Sequence, residues 1–174
     1  MKPEQLRQHI SPDPESVAKE TAKRIISIAD DAIQRRGKFH LVLSGGNTPR
    51  QTYKQLSNTN ADWQHWYIYF GDERCLPANN KERNSVMAKQ AWLDHVAIPP
   101  DQIYEIPAEL GAEEAATVYA GIIEPAMPFD LVLLGMGEDG HTASLFPGQK
   151  HDPDELVHAI HQAPKPPPDR LSLS

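Results

Sequence analysis

An apolar run at residues 129–134 that breaks into a glycine-rich loop is the feature that most constrains this 174-residue chain. The run reads Phe-Asp-Leu-Val-Leu-Leu, and the loop that follows carries Asp139 and His141 between glycines. A buried strand that ends in such a loop is typical of the edge of an open α/β sheet where active sites lie. Residues 41–49 and 67–74 repeat this layout. We therefore expect three loops to converge on one pocket.

Strand and helix signals alternate along most of the chain. Apolar positions between residues 14 and 35 recur every three to four residues, which predicts an amphipathic helix that Gly37 ends. Strands are predicted at residues 39–43, 66–70, 103–106 and 129–134, and helices at 49–56, 84–93 and 112–123. Asn84 is the expected N-cap of the second of these helices. The alternation favours an α/β fold with parallel strands and helices on both faces of the sheet.

The C-terminal part of the sequence changes character. Residues 156–160 form a plausible strand, and residues 164–168 are a proline-rich connection. In residues 171–174 apolar and polar residues begin to alternate, as in a strand. The length of 174 residues suits a single domain with a substantial core. Because the chain stops while beginning a strand, we expect residues 1–174 to be one domain that lacks its natural C-terminal part.

Composition excludes several classes of partner. The formal net charge of −7 and the scattered basic residues argue against nucleic acid and anionic membranes. No apolar run approaches the ~20 residues that a membrane helix needs. The single cysteine, Cys75, fits a reducing cytoplasm. An anionic small substrate is compatible with this composition if a few cations converge on it.

The segment Ser-Gly-Gly-Asn-Thr-Pro at residues 44–49 follows a strand and opens a helix. Free N–H groups at a helix start, together with the hydroxyls of Ser44 and Thr48, predict a phosphate site. The alternative is a tight strand-to-helix turn that binds nothing. The segment has neither a Gly-Lys-Ser/Thr sequence nor a G-x-G-x-x-G fingerprint, so we expect no nucleotide.

Charged residues follow the second strand signal at residues 71–74. Arg74 can fork onto a phosphate or a carboxylate. Asp72 or Glu73 can hold either that arginine or a catalytic histidine. The alternative is a solvated charged turn.

The glycine-rich loop places Asp139 two residues before His141. The histidine side chain suits general base catalysis near neutral pH, so His141 is the candidate base. Lys165 and Arg170 bracket the proline run and are candidate cations for an anionic substrate, or else an exposed charged linker. His158 and His161 have no companions at ligand spacing, so no metal site is predicted.

With these residues in view, the chain resembles the 6-phosphogluconolactonase family, within the glucosamine-6-phosphate isomerase/deaminase-like group of sugar-phosphate enzymes. The matching segments come in the family's order and span most of the chain: residues 44–49, 71–74, 84–88, 135–148 and 164–170. The block at residues 135–148 is the most specific. The resemblance implies an open, mainly parallel Rossmann-like sheet and a cofactor-free hydrolysis of 6-phospho-D-glucono-1,5-lactone.

The resemblance also implies a role for each matching residue. His141 becomes the base that activates water. In the mechanism that we expect, Asp139 or Asp72 orients the imidazole of His141. The phosphate is expected at Ser44, Gly45, Gly46 and Thr48, and three basic side chains are expected to face the substrate: Arg74, Lys165 and Arg170. Family members continue past the position of Ser174, which agrees with the expected missing C-terminal part.

Two other functions stay open at this point. An aldose–ketose isomerase or deaminase that acts on glucosamine 6-phosphate could use Asp72 as its base, although that family carries Tyr at the position of Arg74. A sugar-phosphate sensor would keep the anion site without turnover. The sequence leaves the oligomeric state open.

Overall fold

The computed structural model describes residues 7–174, and its helices and strands alternate up to residue 70 as the sequence predicts. In chain order the elements are α1 (Pro14–Arg36), β1 (Phe39–Leu43), α2 (Asn47–Leu56), β2 (Trp66–Phe70), β3 (Asp72–Arg74), α3 (Asn84–Ala91), α4 (Ala112–Ile123), β4 (Leu131–Val132), β5 (Val157–Ile160) and β6 (Arg170–Leu173).

The first sheet is parallel, with strand order β2-β1-β4. All five residues of the central strand β1 are buried, because helices cover both faces of the sheet. Leu41 pairs with Ile68 of β2 and with Leu131 of β4. This sheet confirms the predicted α/β fold with an open parallel sheet, and it aligns the carboxyl ends of the three strands.

Helix α1 begins and ends where its sequence signals lie. The Asp13 carboxylate accepts a hydrogen bond of 2.7 Å from the backbone N–H of Ser16, which satisfies one free donor of the first turn. Gly37 ends the helix with a φ of 75°, a left-handed conformation that glycine adopts at little cost. The buried alanine-rich stripe of α1 packs against the sheet and α2.

A second sheet, with order β3-β6-β5, is antiparallel. The alternation of strands and helices does not predict it, because β3 continues from β2 after only one residue, Gly71, and pairs with a strand about 100 positions later. Arg74 on β3 lies opposite Arg170 on β6. The second sheet therefore brings together two of the predicted cations.

The strongest predicted strand is shorter than expected. Residues 129–134 were expected to be a strand, but only Leu131 and Val132 are in one. Within residues 7–174, β4 lies at the edge of its sheet and pairs only with β1, and Leu134 is 63% exposed. The predicted strand at residues 103–106 is also wrong: only Ile103 makes a bridge, to Ile68.

Within residues 7–174, no helix has the length and apolar character that crossing a bilayer requires.

His161 ties the second sheet to helix α4. Its Nδ1 lies 3.0 Å from a carboxylate oxygen of Asp169, and its Nε2 lies 3.0 Å from one of Glu113. These hydrogen bonds, first that of Asp169 and then that of Glu113, raise the pKa of His161. Because Asp169 precedes β6 and Glu113 lies in the first turn of α4, the protonated ring links both elements.

We expect His161→Ala to lower the free energy of unfolding only at acidic pH. A raised folded-state pKa gives stability that is fully present below the unfolded-state value of about 6.5 and is lost as pH rises through the folded-state value. Because the side chain is about half exposed, solvent screening keeps the loss below about 1 kcal/mol. Urea unfolding of both proteins between acidic and alkaline pH measures this, and a pH-independent difference would contradict it.

Candidate active site

A cavity of about 220 Å³ lies at the carboxyl ends of β1 and β4 and beside β3. The three loops that the sequence analysis singled out meet there, which is where open α/β sheets bind ligands. The residues that line it are Ser44, Gly45, Gly46, Asp72, Arg74, Asn84, Gly135, Met136, Gly137, His141, Ala143 and Arg170.

The loop between β1 and α2 is shaped to present backbone N–H groups. The hydroxyl of Tyr53 donates to the carbonyl of Ser44 at 2.7 Å and accepts from its N–H at 3.0 Å, which fixes the end of β1. Gly46 precedes α2 with a φ of 105°, and no side chain in the described part of the chain caps the helix. The first N–H groups of α2 are therefore left to bind an anion.

Gly45 touches the neighbouring helix α3. A Cβ atom on Gly45 would lie 2.0 Å from the Oδ1 atom of Asn84, so a side chain cannot fit there without displacing that amide. Glycine at position 45 therefore lets the loop approach α3 closely, and the Asn84 side chain packs against the loop backbone.

Asp72 is a buried carboxylate that joins two other segments. Its Oδ1 accepts a hydrogen bond of 3.0 Å from the Asn84 amide, and its Oδ2 accepts one of 2.7 Å from the Ser144 hydroxyl. Burial raises the pKa of Asp72, while the hydrogen bond from Ser144 and the charge of Arg74 act in the opposite direction. Through these hydrogen bonds, Asp72 holds the three loops of the site together.

The expected N-cap role of Asn84 is wrong, because a different residue caps α3. The Glu73 carboxylate, which is fully buried, accepts the N–H groups of Asn84 at 2.8 Å and Ser85 at 2.9 Å. It also lies 3.5 Å from the guanidinium of buried Arg83. A negative group at a helix N-terminus is favourable, and it releases the Asn84 amide to bind Asp72.

His141 is paired with Asp139. The His141 Nδ1 atom lies 2.5 Å from the Asp139 Oδ1 atom, and this hydrogen bond lowers the pKa of Asp139. Because a carboxylate only accepts, Nδ1 carries the proton and Nε2 is left as the basic nitrogen. A Cβ atom on Gly137 would lie 2.2 Å from the imidazole ring, so glycine is required beside it.

The cations on β3 and β6 differ in how their donors are used. Arg170 is buried and donates to the backbone carbonyls of Lys165, Pro166 and Pro167, so it holds the proline-rich segment against the sheet. Burial, followed by the charge of nearby Arg74, lowers the pKa of Arg170. Arg74 donates to the carbonyl of Glu82, and its Nε has no hydrogen-bond partner within residues 7–174.

Most of the predicted site residues lie together, and two lie beside the cavity. Eight of them either line it or bind a residue that does: His141, Asp139, Asp72, Ser44, Gly45, Gly46, Arg74 and Arg170. Thr48 is exposed and faces an adjacent cavity instead, next to Pro49 and Thr52. Lys165 reaches the site only through Asp139, at 3.7 Å.

Sequence reasoning did not assign Asn84 and Ser144 to the site. Both residues lie in segments that matched the family motifs, and this was the available signal. Asn84 is predicted there only as a helix cap, and Ser144 has no predicted role. Hydrogen bonds to Asp72 from distant positions explain their placement.

Comparison of the chain with known proteins identifies its family. Residues 12–174 match the family model described as glucosamine-6-phosphate isomerases/6-phosphogluconolactonase. The chain belongs to this family. This confirms the resemblance drawn from the motifs.

Relatives of the family share most of the chain. A 6-phosphogluconolactonase of Streptomyces coelicolor is 36% identical over 93% of the chain and 70% of its own length. One from Mycobacterium leprae is 32% identical over 93% of the chain and 72% of its own length. A solved 6-phosphogluconolactonase structure from Thermotoga maritima has a TM-score of 0.85 at 27% identity, over 91% of this chain and 73% of that one.

Because Gly45 lies so close to Asn84, adding a single methyl group at position 45 should lower the stability of the protein. Gly45→Ala should lower the free energy of unfolding by about 1–3 kcal/mol, the usual cost of overpacking. The matched control is Gly121→Ala on α4, where a Cβ meets no atom within 4 Å, so the change should stabilise the protein by up to about 1 kcal/mol. Urea unfolding measures both, and equal effects would refute the contact.

Proposed function

We propose that this chain hydrolyses 6-phospho-D-glucono-1,5-lactone to 6-phosphogluconate, the second step of the oxidative pentose phosphate pathway. The observation that carries the proposal is an imidazole held by a carboxylate, His141 by Asp139, in the same cavity as an uncapped helix start and Arg74. The names of the relatives in the family support the same reaction.

The phosphate of the substrate binds at the start of α2. Backbone N–H groups of the first helical turn, the Ser44 hydroxyl and the guanidinium of Arg74 bind its oxygens, since all three line one cavity or open onto it. These local groups supply the positive potential that a chain of net charge −7 lacks. Thr48, placed outside the cavity, contributes through its backbone N–H rather than its hydroxyl.

Holding the phosphate positions the lactone carbonyl near His141. The Nε2 atom takes a proton from water as the water oxygen attacks the carbonyl carbon. The bond between that carbon and the ring oxygen then breaks, and the imidazolium returns the proton to the ring oxygen, which becomes a hydroxyl. Asp139 holds the ring and stabilises its charged form, and no covalent intermediate is needed.

The two arginines that line the cavity differ in how many donors they keep for the substrate. Within residues 7–174, Arg170 donates to backbone carbonyls through both Nε and Nη2, whereas Arg74 donates only through Nη1, and its Nε has no acceptor. We assign Arg74 to the substrate and Arg170 to the support of the proline-rich segment. Preorganised donors of this kind stabilise a transition state strongly, because they need no reorganisation.

His141→Ala should lower kcat by about 10²–10⁴-fold, the usual contribution of a general base, while KM changes little. The phosphate contacts that dominate binding stay intact, which is the reason for the unequal effects. Initial rates above the spontaneous hydrolysis of the lactone measure both parameters. A mutant as active as the parent would refute the role of His141.

Asp139→Asn should lower kcat by more than it raises KM. An amide can donate to Nδ1 and so select the wrong tautomer, which would place the proton on Nε2. The matched control is Asp154→Asn, which changes an exposed carboxylate that does not line the cavity. If both variants keep full activity, Asp139 does not orient the base.

One pair of assays separates this reaction from the two alternatives. Lactone hydrolysis without ammonia release supports the proposal, and ammonia release from glucosamine 6-phosphate would support the isomerase/deaminase reaction instead. The burial of Asp72 and its two hydrogen bonds argue against its use as a mobile base. Saturable binding of 6-phosphogluconate with no rate acceleration would identify a sensor.

The proposed location is the cytoplasm. The sole cysteine, Cys75, is free, and burial raises the pKa of its thiol to about 11, which keeps it protonated and unreactive. The proposed partner is the phosphorylated lactone itself.

A further inference from the structure

The ring of Phe146 lies against the imidazole of the candidate base, His141. The two ring centroids are 4.7 Å apart and the ring planes are tilted by 34°, within the range of favourable aromatic contacts. Phe146 is only 4% exposed, so its ring is enclosed by the protein. The imidazole is thus restricted by the Asp139 carboxylate at Nδ1, by the backbone of Gly137 and by a phenyl ring.

A tight turn brings this phenyl ring back to the histidine. The N–H of Leu145 donates to the carbonyl of Thr142 at 2.9 Å, which closes the turn. Ala143 has a φ of 49°, in the left-handed region, where a residue other than glycine carries a backbone cost of about 1–2 kcal/mol. A turn with this cost persists only where the surrounding structure holds it.

Two polar contacts hold the turn and the ring that follows it. Ser144 is fully buried, and its hydroxyl donates to the Asp72 carboxylate at 2.7 Å. The guanidinium carbon of Arg170 lies 5.6 Å from the centroid of the Phe146 ring, close enough for a cation–π attraction. Arg170 is in turn held by the backbone carbonyls of the proline-rich segment. Contacts with β3 and β6 therefore set the position of the Phe146 ring.

We propose that Phe146 is a positioning residue for lactone hydrolysis, and this inference rests on the proposed function. The last side-chain torsion of a histidine has a broad energy profile, so a hydrogen bond at Nδ1 alone leaves the imidazole able to turn. The Phe146 ring limits that rotation and keeps the Nε2 atom of His141 directed at the lactone. Displacing a catalytic group by about 1 Å costs on the order of 10²-fold in rate.

Phe146→Leu tests the proposal, because leucine keeps an apolar side chain but removes the flat ring. We expect kcat to fall by about 10- to 100-fold and KM to change by less than about twofold, since the phosphate contacts at the start of α2 do not involve position 146. The matched control is Phe129→Leu, which removes a partly buried ring that does not line the cavity of the candidate active site. Its kcat should stay within about twofold of the parent value, because apolar replacements of this kind are well tolerated.

The imidazole itself provides a readout that does not depend on turnover. The ring-proton NMR signals of His141 are identified by their absence in His141→Ala. They should shift in Phe146→Leu, which has lost the ring current of the phenyl group, and stay in place in Phe129→Leu. Cross-relaxation between the ring protons of Phe146 and His141 in the parent protein tests the contact without any change at position 146.

Each part of the proposal has a result that would overturn it. Absence of the cross-relaxation, or unchanged imidazole signals in a folded Phe146→Leu variant, would overturn the contact. Shifted imidazole signals with unchanged kcat, or an equal loss of kcat in both leucine variants, would overturn the positioning role. A parent protein that does not hydrolyse the lactone would count against the proposed function instead, and the NMR signals would still report whether the two rings are in contact.

Discussion

The buried carboxylate of Asp72 is the interaction on which the site depends. It lies at the start of β3 and accepts hydrogen bonds from Asn84 on α3 and from Ser144 after the glycine-rich loop. Asn84 in turn lies against Gly45 in the phosphate loop. One carboxylate thus sets the spacing of three loops that arise from three different strands. Hydrogen bonds of this kind are strong in a buried setting, and losing one partner leaves a polar group without compensation.

The charged residues around Asp72 have different roles. Glu73, next to Asp72, caps α3 and pairs with Arg83, which frees Asn84 for the site. Arg170 supports the proline-rich segment through backbone carbonyls, whereas the Nε of Arg74 has no acceptor within residues 7–174. In a chain with a net charge of −7, attraction of an anion has to come from such local placement.

Part of this site could be predicted from sequence and part could not. The pairing of Asp139 with His141 spans two residues, so a local motif carries it, although the sequence alone did not choose it over Asp72. The bond from Ser144 to Asp72 spans 72 positions, and no local pattern encodes it. Thr48 shows the converse, because it matched the phosphate motif but its side chain lies outside the cavity.

The sequence by itself determined the α/β fold, the ends of α1, β1 and β2, and the three polar loops that follow strands, because periodicity and turn residues act over short distances. Only the tertiary structure decided the short edge strand β4, the antiparallel sheet β3-β6-β5 and the hydrogen bonds of Asp72 with Asn84 and Ser144. The physical reason is that strand pairing and buried polar contacts join residues far apart in the chain, and their geometry depends on how the whole core packs.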